Sequence, residues 1–168
     1  MKKISTKVIT TLGVLIAIEV VLSRFLSINA WNIKIGFNFV PIAVAAILYG
    51  PIAAAAVAGL GDFIGAILFP IGPYFPAFTL TAVLTGVVLG VFLHKQQKAW
   101  NILGAVAINQ FILGLLLNTL WISVLYDSPY WPLFATRIIQ ALVLTPVQFV
   151  VIGMLVKALP HLGKKAVA

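Results

Sequence analysis

Residues 59–86 read GLGDFIGAILFPIGPYFPAFTLTAVLTG. Two apolar arms flank a short stretch, residues 69–78, that carries three prolines (Pro70, Pro73, Pro76) and four aromatics (Phe69, Tyr74, Phe75, Phe78). Followed outward, the arms run over residues 51–69 and 77–94, each close to the roughly 20 apolar residues that a helix needs to cross a bilayer. Proline cannot continue a helix interior, so the arms end where the prolines begin. The arms are continuous and rich in Ala, Leu and Gly, without the alternation over about 10 residues that marks a membrane β-barrel strand. This stretch therefore predicts two membrane helices joined by a stiff aromatic turn, and the rest of the chain is to be read in the same terms.

The chain of 168 residues is 62% hydrophobic and 8% charged, against about 25% charged in a soluble domain. The hydropathy extends along the whole length and is not confined to one N-terminal run. Six spans are predicted, at about 8–25, 35–49, 51–69, 77–94, 100–126 and 132–159, filling the chain (1–168) as one all-α integral membrane domain, a six-helix bundle. The second is short and contains Pro41, and "YGP" (49–51) is a tight turn. With six spans both termini share a side. That side holds Lys2, Lys3, Lys7, Lys95, Lys98, Lys157, Lys164 and Lys165, and the other holds Arg24, Lys34 and Arg137. The positive-inside rule makes the first side cytoplasmic, in a multi-pass protein of the cell membrane. The net charge of +8 is then a topology signal, not a nucleic-acid footprint.

The residues argue against an enzyme. No phosphate-binding G-x-x-x-x-G-K-[ST] is present, no H-E-x-x-H and no acidic pair for magnesium. The acidic residues are Glu19, Asp62 and Asp127, and the histidines, His94 and His161, fall at cytoplasmic helix ends. No metal site, cofactor or catalytic set is predicted, and the chain has no cysteine. Binding, transport or a structural role in the membrane remain.

Ionisable groups at membrane depth are costly and mark function by default. Asp62 shares a helix face with Ala55, Ala58, Gly59, Gly65 and Ala66, a small-residue stripe that turns it into the bundle, either as a buried hydrogen-bond anchor or as a ligand acceptor. Glu19 is read as structural. Asn118 and Trp121 stand three apart near the outer end of the fifth span, and Arg137 and Gln140 repeat the spacing near the outer end of the sixth. For Asn118, Trp121 and Arg137 a ligand role stands against interfacial anchoring. Gly13-x-x-x-Ala17 is a small-residue pair that suits packing within the bundle or docking onto another membrane protein.

Taken in order, VVLSRFLSI (20–28), IGFNFVPIAVAAILYGP (35–51), the 59–86 stretch, LLLNTLWISVLY (115–126) and ATRIIQALVLTPVQ (135–148) resemble the substrate-binding S-components of energy-coupling factor (ECF) transporters, most closely the folate-specific ones. The family's Ala-x-x-x-Ala on the first helix appears here as Gly13-x-x-x-Ala17. The resemblance implies a six-helix bundle with a vitamin site open to the outside and capture of folate at high affinity. It also implies delivery of folate to the cytoplasm once the protein docks, through the Gly13/Ala17 face, on a transmembrane coupling protein with two ATPase subunits.

Folate has a flat pterin, an aminobenzoyl ring and a dicarboxylate tail. Phe69, Tyr74, Phe75, Phe78 and Trp121 offer ring faces, and Asp62 or Asn118 offers polar groups for the pterin edge. Arg24, Lys34 and Arg137 offer cations for the tail, arginine by its bidentate fork. The outer loops carry these three cations against the single acid Asp127, the sign a dianion needs and a thiamin cation does not. The 69–78 stretch is expected to act as a stiff lid, with Gly72 as its flex point. The alternatives are an S-component for another aromatic vitamin such as riboflavin, an intramembrane lipid-modifying enzyme, and a ligand-free structural protein.

Overall fold

The computed structural model describes residues 5–29 and 33–159. Lys2, Lys3, His161, Lys164 and Lys165, used above for topology and ligand counting, lie outside the described residues. Helix α1 (Thr6–Arg24) leads into a hairpin of β1 (Ile28–Asn29) and β2 (Lys34–Ile35). The hairpin is antiparallel, with Ile28 opposite Ile35 and Asn29 opposite Lys34. Helices α2 (Phe39–Tyr49), α3 (Pro51–Leu68) and α4 (Pro76–Leu93) follow. Helix α5 (Ala99–Tyr126) is π-helical over Ile108–Leu117, and α6 (Tyr130–Ala158) closes the described chain.

Among the described residues five helices are long and apolar enough to cross a membrane: α1, α3, α4, α5 and α6. The predicted second span (35–49) is helical over Phe39–Tyr49. Helix α2 has 11 residues, about 17 Å of rise against a hydrocarbon core of about 30 Å. It begins at Phe39 because the preceding residues pair as a strand. Gly36 is what lets that strand close on the end of α1, since a Cβ there would lie 2.7 Å from Ser27 Cβ. Pro41 falls in the first turn of α2, where its missing N–H breaks no helical bond. Gly50 joins α2 to α3 at φ +90, a conformation that glycine adopts without steric cost, and packs against the His94 ring at the end of α4. Pro51 and Pro76 each open a helix, the position that tolerates them best.

Small residues set the helix directions. Glu19 lies over Gly61 and Arg24 over Gly65, so α1 and α3 run the same way. Gly59 meets Val83, Gly86 meets the backbone of Ala54, and Gly90 meets Pro51, so α3 and α4 run antiparallel in close contact. The tight centre is built mostly of alanines, with Ala43, Ala45, Ala46, Ala54, Ala58 and Ala105 fully buried. The outward faces are apolar, as lipid requires, with Ile52, Leu80, Ile139 and Met154 among the exposed side chains.

The α3–α4 contact predicts a graded glycine series. Gly86→Ala and Gly90→Ala force a methyl against backbone and should each cost about 1–3 kcal/mol. Gly13→Ala meets nothing within 4 Å and should be neutral. Thermal unfolding of the three detergent-purified variants checks this, and equal transitions in all three would refute it.

Candidate functional site

The α1–α2 and α3–α4 connections, with the ends of α5 and α6, wall a cleft of about 320 Å³ at one end of the bundle, within the range of small-molecule sites. Arg24 ends α1, Lys34 comes from the hairpin, Asp62 from α3, Tyr74 and Phe75 from the α3–α4 connection, Phe78 from α4, Asn118 from α5 and Arg137 from α6. All eight were candidates from sequence, and the fold brings them to one chamber. Gly72 and Pro73 of the same connection also line it.

Two candidates stand elsewhere. Phe69 packs edge-to-face on Phe25, centroids 5.0 Å apart, and does not line the cleft, because the helix ends there and turns its ring toward α1. Trp121 sits behind the wall. Its indole N–H donates to Thr81 Oγ1 at 3.0 Å, and its ring centroid lies 6.1 Å from that of Phe75. It supports two lining residues, Thr81 and Phe75.

A polar chain fixes the mouth. Thr79 donates to Asp62 Oδ2 at 2.8 Å, Tyr74 and Thr79 share a hydroxyl contact of 3.3 Å, and Arg24 Nη2 stands 3.6 Å from Asp62 Oδ1. Arg24 Nη2 also donates to the Asp62 carbonyl at 3.3 Å. The α3–α4 connection is thereby tied through α4 and α3 to α1. The Tyr74 ring rests edge-on against Phe63. Lys34 donates to Ser23 Oγ at 3.0 Å, and Gln140 donates to the Lys34 carbonyl at 2.6 Å, holding the hairpin against α1 and α6. Burial pushes the Lys34 ammonium below its ordinary value of 10.5, and the neighbouring Arg24 charge adds to the fall.

A second cavity of about 190 Å³ continues the first, sharing Lys34, Asn38, Thr85, Asn118 and Arg137 with it. Its far wall is amide-rich: Asn109 and Gln110 from the π-helical part of α5, with Gln140 and Gln148 from α6. Arg137 Nη2 donates to the Gly114 carbonyl at 3.0 Å, so the widened helix supplies an acceptor for a buried guanidinium. Sequence reasoning missed Asn38, Asn109, Gln110, Thr81 and Thr85 as lining residues, and assigned Glu19 to structure although it lines the cleft. Asn109 and Gln110 were legible as adjacent amides inside an apolar run. The π turns that aim them had no signal.

Polar groups and aromatic rings gathered inside a sheath of apolar helices make a membrane protein that takes up a small ligand at one end of its bundle. The chain belongs to the family "ECF transporter, substrate-specific component", whose model matches residues 7–167. It is a transporter component and not an enzyme, which removes the lipid-modifying reading. It is 37% identical over 153 residues to the Folate transporter FolT of Clostridium novyi (strain NT), covering 90% of this chain and 88% of the relative. It is 31% identical over 153 residues to the Folate transporter FolT of Leuconostoc mesenteroides subsp. mesenteroides, covering 87% and 82%. A crystal structure of FolT bound with folic acid matches with a TM-score of 0.87 at 31% identity, covering 92% of this chain and 95% of that one.

Arg24 and Asp62 share partners, so their removal should not be additive. In a cycle of Arg24→Ala, Asp62→Ala and the double variant, read by thermal unfolding, a coupling of about 0.5–3 kcal/mol is expected. Strictly additive losses would mean that the 3.6 Å pair contributes nothing.

Proposed function

We infer that this protein is a folate-binding S-component of an ECF-type importer, capturing folate outside and delivering it to the cytoplasm when docked on its energising module. The observation that carries the reading is the cleft itself, where Tyr74, Phe75 and Phe78 stand with Arg24, Lys34 and Arg137 in a chain 37% identical to a folate transporter. The rings suit a flat heterocycle, and the cations suit a dicarboxylate. Asn118, at the junction of the two cavities, is suited to the polar edge of the ring system. Phe69 and Trp121 act one layer back, as supports. Isothermal titration of the detergent-purified protein with folate, riboflavin and thiamin tests the reading, and heat with riboflavin alone would replace it.

We take the whole chain as one such domain, crossing the membrane six times with both termini cytoplasmic. The parallel run of α1 and α3 favours this count, because the hairpin and α2 together must return the chain between them. Arg24, Lys34 and Arg137 then all lie toward the outer side. The energising partners are a transmembrane coupling protein and two ATPase subunits. Gly13 and Ala17 are both exposed on α1, and no described residue lies within 4 Å of a Cβ placed at Gly13, which favours docking over packing within the bundle.

Arg24→Ala and Tyr74→Ala should each weaken folate binding at least about tenfold, a loss of about 1.4 kcal/mol. Wild-type titration curves from both folded variants would sink the assignment. Gly13→Leu with Ala17→Leu should leave folate titration unchanged and lower folate uptake by cells about tenfold, since bulk at a small-residue face holds helices apart. Unimpaired uptake would move the docking face elsewhere.

A further inference from the structure

The chain has three carboxylates: Glu19, Asp62 and Asp127. Asp127 follows α5 in a left-handed turn and lines neither cavity described above. Asp62 is engaged on both oxygens, by Thr79 at 2.8 Å and Arg24 at 3.6 Å. Glu19 differs. It is 2% exposed, lies five residues before the end of α1 and lines the cleft. Its Oε2 has no hydrogen-bond partner among the described residues. No ion pair forms to it among the described residues. The slot it occupies is built, because any side chain at Gly61 would run into the carboxylate. A buried acceptor without a donor is costly and calls for one.

We propose that Glu19 is the specificity-determining acceptor of the cleft, reading a pair of adjacent N–H donors on a planar heterocycle. In folate that pair is the 2-amino group and the neighbouring ring N–H of the pterin. The inference rests on the folate reading above and transfers the pterin edge from Asp62, which already accepts from Thr79 and faces Arg24, to Glu19. A carboxylate accepts two parallel N–H bonds, a pattern that an amide cannot reproduce. The last torsion of a glutamate is soft, so Oε2 turns from Gly61 toward an arriving donor at little cost.

The test is tryptophan-quenching titration of the full-length protein with three probes. These are folate, its 2-desamino-2-methyl analogue, and p-aminobenzoylglutamate, which keeps the tail and lacks the pterin. Glu19→Gln should weaken folate at least about tenfold, weaken the desamino analogue less, since it keeps only the ring N–H, and leave p-aminobenzoylglutamate unchanged, shrinking the preference for folate over the desamino analogue. Gly61→Ala, which displaces the carboxylate without removing it, should reduce the same preference. If Glu19→Gln yields no folded protein, Glu19→Asp, which withdraws the charge by one methylene, carries the comparison. Equal losses for folate and the desamino analogue would mean that Glu19 only shapes the cleft, and unchanged folate binding would remove it from recognition. Wild-type protein that binds riboflavin and not folate would instead defeat the functional reading itself.

Discussion

Everything at the ligand end depends on how closely other chains approach the backbone of α3. Gly61 and Gly65 present no side chains to α1, and Glu19 and Arg24 occupy the space so left. Gly59 does the same for Val83 on α4, while Gly86 and Gly90 let α4 meet α3 at Ala54 and Pro51. Lipid offers no hydrophobic drive between helices, so this close contact is the main source of cohesion in the bundle. It is also what admits two charged side chains of α1 beside a third, Asp62, without a void. Fold and site are thus two consequences of one glycine-lined helix.

Charge at that depth is tolerated only where it is answered. Arg24 faces Asp62, Arg137 donates to the Gly114 carbonyl, and Lys34 leans on Ser23. None of these is a tight, fully satisfied ion pair. Asp62 spends one oxygen on Thr79, and the Arg24 contact is long at 3.6 Å. A cleft whose Arg24 and Lys34 are held in position before a ligand arrives is arranged in advance for an anionic guest. The ordering of long side chains, a usual cost of binding, has been met during folding. The same Thr79–Asp62 bond, continued to Tyr74, extends that order to the loop over the mouth.

How much of this was readable varies with the physics. The long spans were legible because hydropathy over about 20 residues is a cumulative signal that survives local irregularity. Eight of the ten ligand candidates line the cleft because rare residue types in an apolar chain, arginines and acids above all, have few places to go. The hairpin before α2 was not legible, since two residues per strand fall below any periodicity and its cause is a contact between Gly36 and Ser27. Phe69 and Trp121 stand off the cleft for a related reason. Sequence places an aromatic on a loop or helix but not its ring, and both rings pack against neighbours, on Phe25 and behind Phe75. The π-helical part of α5 changes the helical phase along its length, so the 3.6-residue face that held elsewhere could not carry Asn109 and Gln110 to their cavity.

Helix α1 shows why a chain this short suffices for a protein that must both hold a ligand and meet a partner. Its inward face carries Leu15, Glu19, Val20 and Ser23, all buried, and its end carries Arg24 at the cleft. Its outward face carries Gly13 and Ala17, exposed. One rigid helix thus connects the cleft to the Gly13/Ala17 face, with no relay of moving side chains between them. Arg24 is anchored to α3 through Asp62, and α3 is in turn locked against α4. A partner that displaced α1 from α3 would therefore strain the wall of the cleft, while one that moved α1, α3 and α4 together would carry the ligand intact. The glycine contacts oppose separation of these helices, whereas the loop over the mouth is held by hydroxyl contacts and not by close-packed helices.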